Sequence, residues 1–463
     1  MRNGNPRRTA GLKWAIGLGC VLALAACGGG GGGGGGGFFL PPAAAPQAPQ
    51  LAVVADGTTV AAEGDAYVVK PGQVITVKSN QTVSWSGSSP SGKVTAVGTS
   101  SSDQQWQARL ANANPGATED YPLVATANSG QTTTVRLKVR AGDSRNGQYM
   151  AYVSNGSRQQ LKADFDLGSL EFVDTSGASN VGTLVKPASG SAVYGLLSNR
   201  ETTAQRISGL QVLPDTLVGS FPFPVLGANP VTYAPFLFVA TRALITTAAD
   251  LDGTYNRFRV NYSSNGAVKD SAISQVQFSG AGAFFVRCNE VAITRVDICP
   301  TGSLSTATLA PDPTTPGLWR VTNSSGVYEG RVGVARVGNE KMLILAGPGA
   351  TDPTTAQFSV GLQEQPGWSA FNNAFGWSIL GTQDQSTADL STYTLRSASA
   401  AGVVQTALTL NTLGSVGPTG MMGSSTGDGR YYFVARSAQL EMVIGARGNT
   451  ATAGFFHLGV ISN

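Results

Sequence analysis

Charged residues are scarce in this sequence. Of its 463 residues only 13% are Asp, Glu, Lys or Arg, which is about half of the usual share in a soluble protein. Because the exposed faces of long helices depend on these side chains, the shortage disfavours a largely helical fold. Histidine occurs once and cysteine four times, which leaves few ligands for a zinc site and excludes a dense disulfide framework.

Glycine and apolar residues are what the sequence has in quantity. Glycine fills 60 positions and hydrophobic residues make up 41%, a composition that excludes a wholly disordered chain. The length allows several domains, each with its own core. No long segment carries the 3.6-residue apolar period of an amphipathic helix, so we expect an all-β protein with little helix beyond the first 26 residues.

Residues 1–26 have the pattern of a secretory signal peptide. Four basic residues precede an apolar run, 14–26, that is too short to span a bilayer. The end of the run, Leu24-Ala25-Ala26-Cys27, resembles the lipobox of bacterial lipoproteins. That resemblance implies cleavage before Cys27, acylation of Cys27 by chains such as palmitate, and stable membrane anchoring. Gly28 in place of aspartate implies sorting to the outer membrane.

The mature chain is neutral. Removing the signal peptide takes four of the 31 basic residues and leaves 27, equal to the 27 acidic residues. A neutral chain argues against nucleic acid as a partner, because such binding depends on excess positive charge. We expect export by the general secretory route, although Arg7-Arg8 leaves the twin-arginine route as an alternative.

A flexible tether is expected over residues 27–50. Ten consecutive glycines follow Cys27, and a stretch rich in proline and alanine follows them. This leader resembles that of surface-displayed outer-membrane lipoproteins, among them the transferrin-binding lipoproteins. The resemblance implies a protein that is anchored in the outer membrane and exposed at the cell surface.

The rest of the chain is expected to fold as a series of β units. Residues 51–142 contain short apolar runs and a final alternating segment, and they resemble bacterial immunoglobulin-like modules, which are β-sandwiches. Two related units are expected at 247–365 and 386–463, and a more diverged unit at 143–246. Their short strands and Gly-x-Tyr openings resemble calycin-like β-barrels, so two or three barrels are expected after the sandwich.

Three blocks that recur in the same order support these repeats. The first block opens the units, as Ala248–Tyr255 and Thr387–Tyr393. The second recurs 100 positions later, as Val334–Ile344 and Val434–Ile444. The third closes the units, as Ala356–Leu362 and Ala453–Val460. In the diverged unit, Val239–Arg242 is a rough counterpart of the second block. Within the first repeat, Phe258, Val260 and Tyr262 alternate with Arg257 and Arg259, which predicts a strand with one buried face.

The cysteines predict one disulfide. Cys20 leaves with the signal peptide and Cys27 carries lipid, so Cys288 and Cys299 remain. In an oxidising compartment a disulfide between them is the default expectation. A metal site is a weaker alternative, because the one histidine, His457, is distant in sequence. We expect no metal and no cofactor, and a structural or solvent-facing role for His457.

An aromatic connector is expected at 366–385. Its candidate ligand-binding residues are Trp368, Phe371, Phe375 and Trp377. The first three fall at helical spacing, which favours one short amphipathic helix that packs between units or caps a barrel. The alternative is an aromatic platform for a sugar, a lipid or a partner protein.

No motif for catalysis stands out. Gly423–Gly427 matches Gly-x-Ser-x-Gly only formally, because it lies in a Gly/Ser-rich loop rather than between a strand and a helix. We therefore expect a non-enzymatic role in binding or adhesion to a protein, a glycan or a small apolar ligand. The alternatives are a hydrolase of cell-envelope glycans that uses paired carboxylates and a purely structural envelope protein.

Overall fold

The described chain is all-β, as the sequence predicts. The computed structural model describes residues 46–462, except for 175, 190, 201–207, 264, 291, 350–351, 353, 400–401, 427–428 and 447–451. Within these ranges the helical segments are two short 3-10 turns, Ala248–Leu251 and Val296–Ile298. None of the described helices is long and apolar enough to cross a membrane. Cys27 and most of the predicted tether lie outside the described residues.

The N-terminal domain is the predicted β-sandwich, and three barrel-like units follow it. One sheet has the order β2-β1-β4-β7-β6 and the other β3-β9-β8-β5. Trp106 and Tyr121 stack in the core between the sheets with ring centroids 6.1 Å apart. The strands are β1 Leu51–Ala55, β2 Thr58–Thr59, β3 Tyr67–Val69, β4 Val74–Ser79, β5 Val83–Gly87, β6 Val94–Ser102, β7 Gln105–Asn112, β8 Glu119–Ala127 and β9 Thr132–Val139.

Two closed barrels follow, and each is an up-and-down meander whose last strand pairs with its first. The strands of the first barrel are β10 Gly147–Val153, β11 Arg158–Asp164, β12 Ser169–Val173, β13 Ser179–Val185, β14 Tyr194–Ser198, β15 Ser208–Leu213, β16 Thr216–Pro224 and β17 Tyr233–Thr241. Those of the second barrel are β18 Gly253–Tyr262, β19 Val268–Ser279, β20 Phe284–Cys288, β21 Leu304–Pro311, β22 Leu318–Asn323, β23 Tyr328–Val337, β24 Glu340–Pro348 and β25 Ala356–Gln363.

The third unit is an open barrel. Its order is β29-β28-β27-β26-β34-β33-β32-β31-β30, so the first strand again pairs with the last, and the sheet edges are β29 and β30. The strands are β26 Phe371–Ser378, β27 Gln383–Ala388, β28 Thr392–Ser399, β29 Gly402–Thr409, β30 Asn411–Thr412, β31 Met421–Ser425, β32 Tyr431–Arg436, β33 Leu440–Gly445 and β34 Phe456–Ile461.

The helix predicted within 366–385 is wrong. Phe371–Ser378 is a strand, and Gln383–Ala388 is the next one. Trp368, Phe371 and Phe375 are three and four positions apart, which resembles a helical period, and the strand pairing shifts register between Phe371 and Ala374. The physical reason for the strand is non-local, because β26 is hydrogen-bonded to β34, about 80 residues later in the chain.

One sequence repeat is structural and another is coincidental. Ala335 pairs with Met342 on the hairpin β23–β24, and Ala435 pairs with Met442 at the same place on β32–β33. The block around 334–344 is therefore a true repeat. The echo of Ala248–Tyr255 in Thr387–Tyr393 is not, because the former leads into the first strand of its unit and the latter joins the second to the third.

The counterpart predicted in the first barrel is also misplaced. Val239–Arg242 begins on β17, the last strand of that barrel, whereas the Val-Ala-Arg block occupies the third strand from the end in each of the other two units. Short Val-Ala pairs recur easily in apolar strands, so the resemblance reflects composition rather than position.

A single apolar core joins the three units. It consists of residues on the outer faces of the strands, where each unit packs against the others. Phe358 and Phe456 meet edge to face across it with ring centroids 5.6 Å apart. Ser154 Oγ donates a hydrogen bond to the Ile379 carbonyl at 2.7 Å, which links the first unit to the third. The outer faces of the strands at this junction, among them β18, β24 and β25, are therefore buried, in contrast to those of an isolated soluble barrel.

The predicted disulfide is confirmed. Cys288 ends β20 and Cys299 follows the second 3-10 turn; their Cα atoms are 5.7 Å apart. The bond ties the segment 289–298 back to the wall of the second barrel.

We expect removal of this disulfide to destabilise the second barrel. A bridge over a sequence separation of 11 restricts the unfolded chain by about 3 kcal/mol in the loop-entropy model. The double variant Cys288→Ser/Cys299→Ser should therefore unfold at a lower urea concentration, and reductant should lower the wild-type midpoint to match. Reductant acting equally on the variant, or an unchanged midpoint, would contradict the assignment.

Candidate functional site

The strand β18 has two buried faces of opposite chemistry. Phe258 and Val260 point outward into the core shared by the three units. Arg257 and Arg259 alternate with them and line the cavity inside the second barrel. The apolar face was predicted to be buried, and it is, but the arginines face the barrel lumen rather than bulk water.

A third arginine lies on the same inner surface. Arg287 on β20 is directly opposite Val276 of β19, whose side chain belongs to the interior core of the second barrel. Residues that oppose each other on neighbouring strands share a face, so Arg287 also points inward. Arg257 is held in place by a hydrogen bond from its Nε to Ser274 Oγ at 3.2 Å.

Positive charge is in excess in this lumen. Burial lowers the pKa of Arg257 well below its usual range, and the neighbouring charges of Arg259 and Arg287 lower it further. The lumen supplies one carboxylate close to these groups, Glu329, which lies 3.3 Å from Arg287. A cluster of cations with a single acid is electrostatically unfavourable unless an anion joins it.

The lumen is open at the end where the arginines lie. A cavity of about 40 Å³ inside the barrel is bordered by Arg257, Arg259, Arg287, Glu329 and Ser359. It shares Arg259, Arg287, Glu329 and Gln357 with a wider cavity of about 340 Å³ at the mouth. Polar groups on the rim of that mouth include Asn261, Lys269, Asp270 and Thr355.

The opposite end of the same barrel is closed by packed aromatic rings. Phe278 contacts Tyr255 and Phe285 edge to face, with centroid distances of 5.6 and 5.3 Å. Trp319 is buried beside them and donates its indole N–H to the Ile245 carbonyl at 3.1 Å. A ligand would therefore enter from the arginine end.

The first barrel has the same topology and a filled interior. Phenylalanine rings pack at centroid distances between 4.6 and 6.1 Å inside it, contributed by Phe172, Phe221, Phe223 and Phe238. All four side chains are fully buried. This interior is an ordinary hydrophobic core.

The third unit encloses a buried polar cluster. His457 on β34 contacts Asp384 Oδ2 through Nδ1 at 3.2 Å and Glu441 Oε1 through Nε2 at 2.8 Å. Ser386 Oγ and Tyr393 Oη each donate to Glu441 at 2.9 Å. All five side chains are buried, so the structural role expected for His457 agrees with its position, whereas a solvent-facing role does not.

The two carboxylates keep His457 charged. Burial is the largest single influence and by itself lowers the pKa, but Glu441 and Asp384 together outweigh it and raise the pKa of His457 to about 9. In this cluster the imidazolium thus balances buried negative charge. The corresponding position on the last strand of the second barrel is Gly361, because Gly361 pairs with Leu343 of β24 as His457 pairs with Val443 of β33. Gly361 lies opposite Arg257 on β18.

The predicted aromatic residues do not form one surface. Phe371 lies in the interior core of the third unit, and Trp377 is fully buried in the core between the units. Trp368 precedes β26 and donates its indole N–H to the Asp389 carbonyl at 2.9 Å. Phe375 is partly buried on β26. Because these side chains point in different directions, they provide no platform.

Comparison with known proteins adds little. No family model matches the chain, and a search of curated proteins finds no match. Among solved structures, a DUF4784 family protein from Bacteroides caccae matches at 10% identity over 61% of this chain and 92% of its own, with a TM-score of 0.16. Within the described residues no group of His, Cys, Asp and Glu is arranged to hold a metal ion.

Two features of the sequence point to the arginine site. Arg257 and Arg259 alternate with a strongly apolar face, and Arg287 directly precedes a cysteine predicted to be bridged. In a chain with so few charged residues, arginines inside predicted strands are unusual. What the alternation does not reveal is which face of a barrel strand is the lumen.

We expect His457→Gln to destabilise the third unit strongly at pH 6. Two buried carboxylates would lose their counter-charge, which costs about 3–5 kcal/mol in comparable sites. The double variant His457→Gln/Glu441→Gln should recover part of the loss, because it removes one unpaired charge. Chemical unfolding monitored by circular dichroism measures all three proteins, and a fully stable His457→Gln would contradict the assignment.

The same cluster predicts a pH dependence with a definite sign. The folded pKa of about 9 exceeds the reference value of 6.5, so protonation of His457 stabilises the folded chain. This stabilisation is complete below about pH 6.5 and is lost as the pH rises towards 9. The difference in stability between wild type and His457→Gln should therefore shrink across that window; a constant difference would show that His457 does not titrate there.

Arg257→Gln should stabilise the ligand-free protein. The substitution removes a charge that burial and two other arginines disfavour, and glutamine retains a donor for Ser274. We expect a gain of about 1–2 kcal/mol, measured by thermal unfolding at low salt. Arg320→Gln is the matched control, because Arg320 is exposed on β22 of the same barrel, and it should change stability little. A loss of stability in Arg257→Gln would indicate a structural arginine.

Proposed function

We propose that this chain is a lipid-anchored protein of the bacterial outer membrane, exposed at the cell surface, with a role in binding rather than catalysis. The anchor is Cys27, which ends the lipobox-like sequence Leu24-Ala25-Ala26-Cys27. The tether that follows would hold the folded units away from the membrane. The neutral charge of the mature chain supports a partner other than nucleic acid.

The observation that carries the binding role is the open lumen of the second barrel. Ligand sites in β-barrels lie at the mouth, where concave walls and a few polar groups meet. The mouth here has a volume of about 340 Å³, which suits a small molecule or the end of a chain. In this proposal the partner enters through the mouth, which Asn261 and Thr355 border. The apolar ligand considered from sequence fits this charged surface less well than a polar one.

The enzyme alternative requires two acids in an accessible cleft. One pair of acids that converges inside a unit is Asp384 and Glu441, which share His457 in the third unit. Their side chains are at most 3% exposed, so a glycan does not reach them in this conformation. The structural alternative requires filled interiors; the first barrel meets that condition and the second does not.

Anchoring and exposure are tested together on intact cells. We expect the wild-type chain to incorporate a labelled palmitate analogue and to be digested by protease added outside the cells. Cys27→Ala should lose the label and partition into the aqueous phase of a detergent extract. A periplasmic protein that resists digestion controls for cell integrity. Label on Cys27→Ala would refute the anchor, and protection of the wild type would refute surface exposure.

A further inference from the structure

We propose that the lumen of the second barrel binds an oxyanion, namely the carboxylate, phosphate or sulfate group of a small molecule, with Arg257 and Arg287 as the main binding side chains. The inference rests on the binding role proposed above and specifies the class of ligand. It requires an anion that enters through the mouth and places its charged group at the arginines.

Charge balance is the first argument. The charged neighbours that lower the pKa of Arg257 are both arginines, Arg259 and Arg287. Glu329 is 3.3 Å from Arg287 and neutralises one positive charge at most. Lys269 and Asp270 at the mouth have opposite signs and leave the balance unchanged. Bringing one or two negative charges into the lumen would therefore be favourable.

Unsatisfied hydrogen-bonding groups are the second argument. Arg287 Nε and Ser359 Oγ are buried without a hydrogen-bond partner among the described residues. Buried polar atoms are normally paired, and an unpaired one in a cavity points to a ligand or an ordered water. Arginine is the side chain best suited to planar or tetrahedral oxyanions, because its donors form a fork.

The size of the cavity is the third argument. The inner space of about 40 Å³ corresponds to roughly three water-sized probes, which matches an oxyanion head group. The wider mouth accommodates the remainder of a small ligand. Asn261, Thr355 and Gln357 border that mouth and are suited to hydroxyl or amide groups on it.

The other two interiors show that the fold does not require such a cluster. The first barrel fills the same space with phenylalanine, and the third unit pairs its buried charges within one hydrogen-bonded cluster. Among the described interiors, the second barrel is the one that combines excess charge with an opening. That combination is typical of a binding site rather than of a core.

The test is calorimetric titration of the full chain with inorganic phosphate, sulfate and succinate, at matched ionic strength against chloride. We expect saturable heat with at least one of the three anions, and the order of their affinities identifies the preferred head group. Arg257→Gln and Arg287→Gln should each weaken that binding about tenfold or more. Arg320→Gln, which changes an exposed arginine of the same barrel, should bind as wild type does.

A lumen-blocking variant separates this inference from the broader proposal. Gln357→Trp places an indole between the two cavities and leaves every arginine unchanged, so it should abolish anion binding. Absence of saturable binding for all three anions would overturn the inference. If glucose instead binds wild type but not Gln357→Trp, the ligand class is wrong and the binding role stands. If neither the anions nor glucose binds, both proposals fail.

Discussion

Burial of the outer strand faces at the junction of the three barrel units is the constraint on which the rest of the structure depends. A single soluble barrel must be apolar inside, because its outside meets water. In this chain the outer residues of β18, β24 and β25 pack against the other units, so the second barrel already buries a large apolar surface without using its lumen. The inner positions are thereby released from the requirement to be hydrophobic. The barrel tolerates arginines at those positions, because the apolar surface that stabilises it is buried on the other side of the sheet.

The three units show how far one topology tolerates different interiors. In the first, aromatic rings fill the space; in the third, an imidazolium is matched to two carboxylates; in the second, cations surround a cavity. The last strand illustrates the change at one position, since Gly361 and His457 occupy equivalent sites that face inward. Glycine leaves space that histidine fills, and this difference in side-chain volume and charge distinguishes the open lumen from the filled interior of the third unit.

The sequence predicts those features that depend on local pattern. The all-β class follows from alternation and turn residues, and the disulfide follows from elimination among four cysteines. The repeat around Ala335 and Ala435 is detectable because both residues must fit the same tightly packed core. The strand at Phe371–Ser378 was missed because its partner, β34, lies at the far end of the unit. The arginine site was missed because alternation separates two faces without showing which of them encloses a cavity.

The location of the positive charge also bears on how the proposed site would select anions. The same arginines on the surface would attract membranes and nucleic acids without specificity. Inside the barrel, the positive field of the arginines is concentrated at one opening. The limited width of that opening excludes large polyanions. Arg287 adjoins Cys288, whose disulfide fixes the end of β20. The disulfide therefore also restrains the backbone that carries Arg287. Rigid placement reduces the entropy lost when a ligand binds, and it links the stability of this barrel to the selectivity of its mouth.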